Sequence, residues 1–271
     1  MKRLPRLATA AVLFALVPPP ATAGEMKDEL KVDAAHPAVL RTRFATYGYH
    51  PELSIFTESG GIRFRLPAGV AGVGQTGVYS QFSLSGDCEV VLNYELIHVQ
   101  EPRDGYGSGL GLAFDAGDEG GRALVQRVHK PKEESGYVLQ TGPAGPGSKV
   151  EETYQFVASK AQKGRIGMRR VKKELIFLAS DDPLAPPEEI GRRPFSGGTV
   201  RAVRLFADAG GSQTALHVRA MEIELRAEEI TGGIPRREAK GWGWWWLWAL
   251  APAAGAGLLV WRWRAYRRRS E

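Results

Sequence analysis

Glu222 and Glu224 stand two apart in an alternating stretch, so they share one face of a strand. Two carboxylates on one face are what glycoside hydrolysis uses, one as nucleophile and one as acid. Arg226 stands where a further acid would continue the run. Met221, Ile223 and Leu225 occupy the other parity, so a solvated outer face explains the pair equally plainly. Asp115, Asp118 and Glu119 cluster around a Gly-rich turn. Calcium takes about six to eight oxygens, of which these acids would supply part, and an ordinary acidic turn has the same composition. Tyr79, Tyr106, Tyr137 and Tyr154 offer flat faces to a sugar ring, although strand tyrosines are mostly half-buried packing. Tyr106, flanked by Gly105 and Gly107, is the first residue to test for ligand contact, and Tyr137 the second. His36, His50, His98, His129 and His217 are scattered, none at metal-ligand spacing. Ser108 lies in Gly-Ser-Gly without the strand-turn-helix of a hydrolase elbow. The single cysteine, Cys88, excludes an internal disulfide, and its alternating surroundings predict a buried, inert thiol. No cofactor motif is present: Gly105 to Phe114 is glycine-rich, but no helical period follows it as a dinucleotide fingerprint requires.

The elements that must position these residues are strands. Gly61 to Pro67, Val78 to Leu84 and Cys88 to Ile97 alternate with period two. In Gly105 to Phe114, glycine at every second position leaves one strand face bare, open to another backbone or a flat ligand; tight packing is the plainer alternative. Further strands are read at Ala123 to His129, Gly136 to Gln140, Glu151 to Ser159 and Thr199 to Ala207. Lys163 to Ser180 reads as a hairpin bent at Val171-Lys172-Lys173. Thr141 to Gly147 reads as a loop, and Asp181 to Gly198 as a long loop with a short strand at most. In Thr214 to Ala227 the apolar set changes parity, from Leu216, Val218 and Ala220 to Met221, Ile223 and Leu225. One extra residue near Ala220–Met221 would do this, so a β-bulge is expected there. Gly24 to Ala38 reads as a polar arm with one short helical turn near Met26 to Val32. Ten or more short strands without a convincing helix predict an all-β sandwich of jelly-roll type.

The two ends predict where this domain works. Lys2, Arg3 and Arg6, the apolar run Leu7 to Val17 and Ala21-Thr22-Ala23 form a secretory signal peptide, residues 1–23. All seven tryptophans fall between Trp242 and Trp263, around an uncharged Leu/Ala/Gly/Val stretch, and five arginines follow from Arg262. That pattern predicts one transmembrane helix over 241–261 and a basic cytoplasmic tail over 262–271. Eight of the 36 Lys and Arg residues lie in these two ends, against one of the 30 acids. The middle is therefore near neutral, and the basic pI does not argue for nucleic acid.

Asp87-Cys88-Glu89-Val90 followed by Tyr94-Glu95-Leu96 is similar to the G-D-F-E…Y-E-L strand of concanavalin A-like lectin/glucanase sandwiches, with Cys88 where an aromatic is usual. Glu101-Pro102, Gly105-Tyr106-Gly107-Ser108-Gly109 and Val203-Arg204-Leu205-Phe206-Ala207 resemble, more narrowly, a bacterial, planctomycete-type domain family of unknown function. The resemblance implies two curved sheets over about residues 56–230, and does not imply catalysis. Glucanases of this type carry E-x-D-x-x-E or E-x-D-x-E on one strand; Glu222 and Glu224 are the nearest match and lack the third acid. The expected organisation is an arm at 24–55, the sandwich at 56–230, a linker at 231–240, and the membrane segment. The expected location is the bacterial cell membrane, single-pass, with the main domain periplasmic or extracytoplasmic. The expected role is a binding or interaction module for a glycan or an envelope protein, without cofactor. The alternatives are a diverged glycoside-active enzyme and a purely structural envelope protein.

Overall fold

A computed structural model describes residues 25–33, 42–70, 73–132, 134–143 and 151–232. The expected signal peptide and membrane helix lie outside these residues, as does the expected linker beyond Gly232; its first two residues, Thr231 and Gly232, end a strand. Among the described residues no helix is long and apolar enough to cross a membrane.

Among the described residues there are fifteen strands. They are β1 (Asp28–Asp33), β2 (Phe44–Tyr47), β3 (Ile55–Glu58), β4 (Gly61–Leu66), β5 (Thr76–Ser80), β6 (Phe82–Val99), β7 (Ser108–Asp115) and β8 (Arg122–His129). After them come β9 (Ser135–Gly142), β10 (Thr153–Ala158), β11 (Lys163–Val171), β12 (Glu174–Ser180), β13 (Glu188–Pro194), β14 (Ala202–Asp208) and β15 (Leu216–Gly232). Among the described residues helix is limited to short turns, Pro51–Ser54, Gly117–Gly120 and the pair Thr42 and Arg43. All the strand pairings are antiparallel.

The strands form two sheets. One has eight strands in the order β13-β12-β11-β6-β15-β4-β3, with β1 added on β15. The other has seven, in the order β10-β9-β8-β7-β14-β5-β2. Alternate residues of both sheets meet in one core: Phe64, Val90, Leu92, Ile166, Phe177, Val218 and Ile223 from the first, Leu110, Leu112, Val125, Leu139, Val203 and Leu205 from the second. The all-β sandwich is thus what period-two alternation predicts when each strand has one apolar face to hide. Cys88 belongs to this core and is fully buried, with its thiol pushed up to about 11 by desolvation.

The bulge lies where parity predicts it. Ala220 pairs with Tyr94 and Ile223 with Leu92, so Met221 and Glu222 together face Asn93. The extra residue returns Ile223 and Leu225 to the core and turns Glu222 and Glu224 outward. The bend of the β11–β12 hairpin also falls as read, with Lys172 at a left-handed φ of 56°.

Two expectations are corrected. Met26 to Val32 does not form a helical turn: β1 runs through it, with Leu30 opposite Leu225 and Val32 opposite Ile223. The second half of β15 leaves a row of backbone donors and acceptors open beyond the end of β4, and pairing with β1 satisfies it. Asp181 to Gly198 holds more than a short strand, since Glu188–Pro194 forms the seven-residue edge strand β13. Its charged sequence, Glu-Glu-Ile-Gly-Arg-Arg-Pro, suits an unpaired edge and hides the strand from a hydrophobicity pattern.

Candidate functional site: a groove on the seven-stranded sheet

The outer face of the seven-stranded sheet is organised in rows that cross the strands. One row reads Tyr47, Gly77, Phe206, Gly111, Gln126, Val138, Phe156. The next reads Ala45, Tyr79, Arg204, Ala113, Leu124, Gln140, Tyr154. A third reads Ala202, Asp115, Arg122, Gly142. Above these rows lies a groove of about 490 Å³, whose walls include Tyr106 and Asp208, Arg122, Gln126, Gln140 and Tyr154. Asp208 stands in the row of Val128, six residues along β8 from Arg122. At about 3.4 Å per residue the groove is therefore roughly 20 Å long.

The glycine run builds one end of it. A side chain on Gly105 would put its Cβ 2.1 Å from the carbonyl oxygen of Gly210. One on Gly210 would collide equally with Gly107, and both residues hold a left-handed φ. The bare backbone therefore admits another backbone, and the Tyr106 amide donates to the Gly210 carbonyl at 2.9 Å. Ser108 serves the same junction. Its buried hydroxyl meets the Ala209 carbonyl at 2.9 Å and the hydroxyls of Ser212 and Thr214, which ties it to loop closure. At Gly111 the vacant side-chain space belongs to the Phe206 ring, which would lie 2.3 Å from an added Cβ.

Tyr106 is thereby held at the rim, 59% exposed, with its hydroxyl donating to Asp208 at 3.1 and 3.2 Å. Asp208 is 1% exposed and also accepts from the Gln75 amide at 3.3 Å and the Gly210 amide at 2.8 Å. Burial raises the carboxyl above its ordinary range despite these donors. Burial, then the Asp208 charge, pushes the Tyr106 hydroxyl up to about 12. Tyr154, on β10, presents a second exposed ring, 56% accessible. Between the two tyrosines the polar groups are the amides of Gln126 and Gln140, the Arg122 guanidinium and the Glu152 carboxylate. Gln140 donates to Glu152 at 3.1 Å. Gln126 is nearly buried, and its Nε2 has no hydrogen-bond partner. Arg122 leaves its buried Nε unpartnered.

The expected site residues divide among three places. Tyr106 and Tyr154 share the groove, with Tyr79 further along the same face. Tyr137 shares parity with Leu139 on β9 and points into the core at 3% exposure. Its hydroxyl donates to Asp181 at 2.6 Å and accepts from Tyr94 at 2.9 Å; burial and these bonds raise it strongly. It belongs to the interior, away from the groove. Glu222 and Glu224 lie on the outer face of the other sheet. There Glu224 pairs with Arg165 at 3.1 Å and Glu222 accepts from Asn93 at 3.4 Å. They continue a ladder of charge that also holds Arg219 with Glu58 and Glu95, Arg169 with Glu89, and Arg226 with Glu29. Asp115 gives Oδ2 to Arg204 at 2.8 Å and Oδ1 to the Gly117 amide at 3.0 Å. The side chains of Asp118 and Glu119 lie outside those described. Among the described residues no group of three or more His, Cys, Asp or Glu is placed to hold a metal ion.

Asp208, Arg122 and Gln126 escape a reading by sequence. The one local sign of Asp208 is an acid that ends the apolar strand Val203 to Ala207 on the outward parity. Arg122 and Gln126 alternate with Ala123, Val125 and Arg127, and their outward parity was legible; their meeting with β9, β10 and β14 was not.

Comparisons with known proteins agree on the fold, the concanavalin A-like lectin/glucanase sandwich. The chain is similar to an immunostimulatory antigen and pseudo β-1,3-glucanase of Mycobacterium tuberculosis, with a TM-score of 0.52 and 11% identity over 76% of this chain and 100% of that one. It is similar to the CBM2 module of the evolved Dit of Lactobacillus casei BL23 phage J-1, with a TM-score of 0.51 and 8% identity over 73% and 94%. A GH43 protein of Bacillus licheniformis gives a TM-score of 0.49 at 11% identity over 68% of this chain, which spans only 37% of that one. No curated protein matches the sequence. The model of the family described as protein of unknown function (DUF1583), C domain, matches residues 17–240, and the chain belongs to that family.

Proposed function

We propose that this protein is a glycan-binding module, held at the extracytoplasmic face of a bacterial membrane by its C-terminal segment, and that the groove of the seven-stranded sheet is its binding face. The observation that carries the reading is the groove itself. Two exposed tyrosine rings, Tyr106 and Tyr154, flank a floor of side-chain amides and one guanidinium, with Gln126 Nε2 and Arg122 Nε lacking partners. Sugars present apolar ring faces, which stack on aromatic side chains, and rims of hydroxyls, which pair with donors and acceptors of this kind. Unpartnered buried donors cost free energy until a ligand satisfies them. The fold of the pseudo-glucanase from Mycobacterium tuberculosis is compatible with this use. The carboxylates Glu222 and Glu224 are engaged in the charge ladder of the opposite sheet, which favours binding over hydrolysis at that pair.

The test is a glycan array probed with the full-length chain in lipid nanodiscs, free of glycosidic detergents. Binding that falls by at least about tenfold in both Tyr106→Ala and Tyr154→Ala supports the reading, as expected of aromatic anchors. An array without any binding, or binding indifferent to both substitutions, refutes it. The membrane anchor is tested separately by fractionating cells that express the chain with and without residues 241–271; release of only the truncated protein is the expected result.

A further inference from the structure

Arg122, a cation of the groove, leaves its buried Nε without a hydrogen bond and has the Asp115 charge nearby only in competition with Arg204, so its surroundings ask for a further anion. Asp115 is its neighbour on β7, yet both oxygens of that carboxylate are taken, Oδ2 by Arg204 at 2.8 Å and Oδ1 by the Gly117 amide at 3.0 Å. Two guanidinium groups thus share one carboxylate, which leaves a local excess of positive charge. Arg204 is further fixed by the ring of Tyr47, 5.8 Å from its guanidinium carbon. Glu152, across Gly142, accepts from the Gln140 amide through Oε1 at 3.1 Å and makes no ion pair with Arg122 within 4 Å. Asp208, the remaining groove acid, is at the other end, roughly 20 Å away by the strand spacing. Burial lowers the affinity of Arg122 for its own proton and the neighbouring Arg204 adds to this, while the Asp115 charge offsets only part of it.

We infer that the groove selects acidic glycans, and that Arg122 binds the carboxylate of a uronic acid residue while the tyrosines and Gln126 hold neighbouring sugar rings. A guanidinium presents paired N–H donors in a fork that matches the two oxygens of a carboxylate, which an ammonium cannot reproduce. The unpartnered Nε2 of Gln126 is a donor on the same strand and the same face as Arg122, so a hydroxyl oxygen on a neighbouring sugar ring would accept from it. The inference rests on the glycan-binding reading, and it adds a sign and a position to it.

The test compares a uronic acid oligosaccharide, oligogalacturonate, with its carboxyl-reduced counterpart. Both are titrated by calorimetry into the full-length chain in nanodiscs at fixed salt. The expected result is a preference of about tenfold or more for the acidic form, lost in Arg122→Gln and only partly kept in Arg122→Lys, with unfolding temperatures unchanged. Equal affinity of the wild type for both forms overturns the acidic selectivity and leaves glycan binding standing. Absence of binding to either, together with an empty neutral array, overturns both. Binding of dextran sulfate in place of the uronate overturns the carboxylate assignment, and a preference that survives in Arg122→Gln removes this residue from it.

Discussion

Arg127 offers the most demanding test of how the fold supports its groove. Its side chain is fully buried and makes no ion pair among the described residues. Its guanidinium donates to carbonyls of Val128, Gly136, Ser159 and Ala161 and to the Ser135 hydroxyl, at distances from 2.7 to 3.3 Å. The Tyr137 ring lies 5.7 Å away. The residue therefore ties the end of the β8–β9 pair to the connection between β10 and β11. Consider Arg127→Met, which keeps the length and removes the donors. The carbonyls of Ser159 and Ala161 lose their partners, at about 1–3 kcal/mol each. The relief of no longer burying a charge offsets part of this. The net expectation is a loss of about 3 kcal/mol. With an m value of about 2–3 kcal/mol/M, the urea midpoint followed by circular dichroism falls by about 1–1.5 M. Arg127→Lys keeps the charge but offers a single point with three donors, and is expected to recover less than half of the loss. A change below about 1 kcal/mol in Arg127→Met would show that these carbonyls find water or other partners, and the cage argument would be wrong.

Other predictions concern the groove and its opposite face. Asp208 has its folded-state pKa raised by burial, so the folded chain holds this proton more tightly than the unfolded chain. That contribution favours the fold at low pH and is lost as pH rises from the ordinary carboxylate range through the raised value. Asp208→Asn should flatten this part of the stability–pH profile and be no less stable than wild type at neutral pH; a variant with the wild-type slope contradicts the assignment. Gly111→Ala drives a methyl into the Phe206 ring and should cost about 1–3 kcal/mol, with Phe206→Leu in the same chain recovering part of it, as a double-mutant cycle measures. Glu222→Gln and Glu224→Gln should leave glycan affinity within about twofold of wild type, because they lie on the outer face of the other sheet, in its charge ladder. A polysaccharide-degrading activity abolished by either substitution would reverse the choice of face.

The strands were legible because burial on one face writes period two into the sequence, and the bulge was legible because Ala220, Ile223 and Leu225 cannot all face inward without it. β1 was not, since its placement depends on the open flank of β15, two hundred residues away along the chain. Of the site, Tyr106 could be picked out from its glycine frame, yet the frame's purpose is a backbone crossing at Gly210 that no local pattern announces. Tyr137 looked equivalent by type, and only its shared parity with Leu139 marks it as core. The polar floor was invisible for a different reason. Arg122, Gln140, Tyr154 and Asp208 come from four strands and are brought together by register across the sheet, which the sequence specifies through long-range pairing.

The most direct test of the central claim is a competition between faces in one titration series. Wild type, the groove variant Tyr106→Ala/Tyr154→Ala and the opposite-face variant Glu222→Gln/Glu224→Gln are titrated with the same glycan, after each is shown to unfold at the wild-type temperature. Loss of binding in the groove variant alone is the predicted result. Loss in the opposite-face variant with the groove variant unaffected would contradict the account.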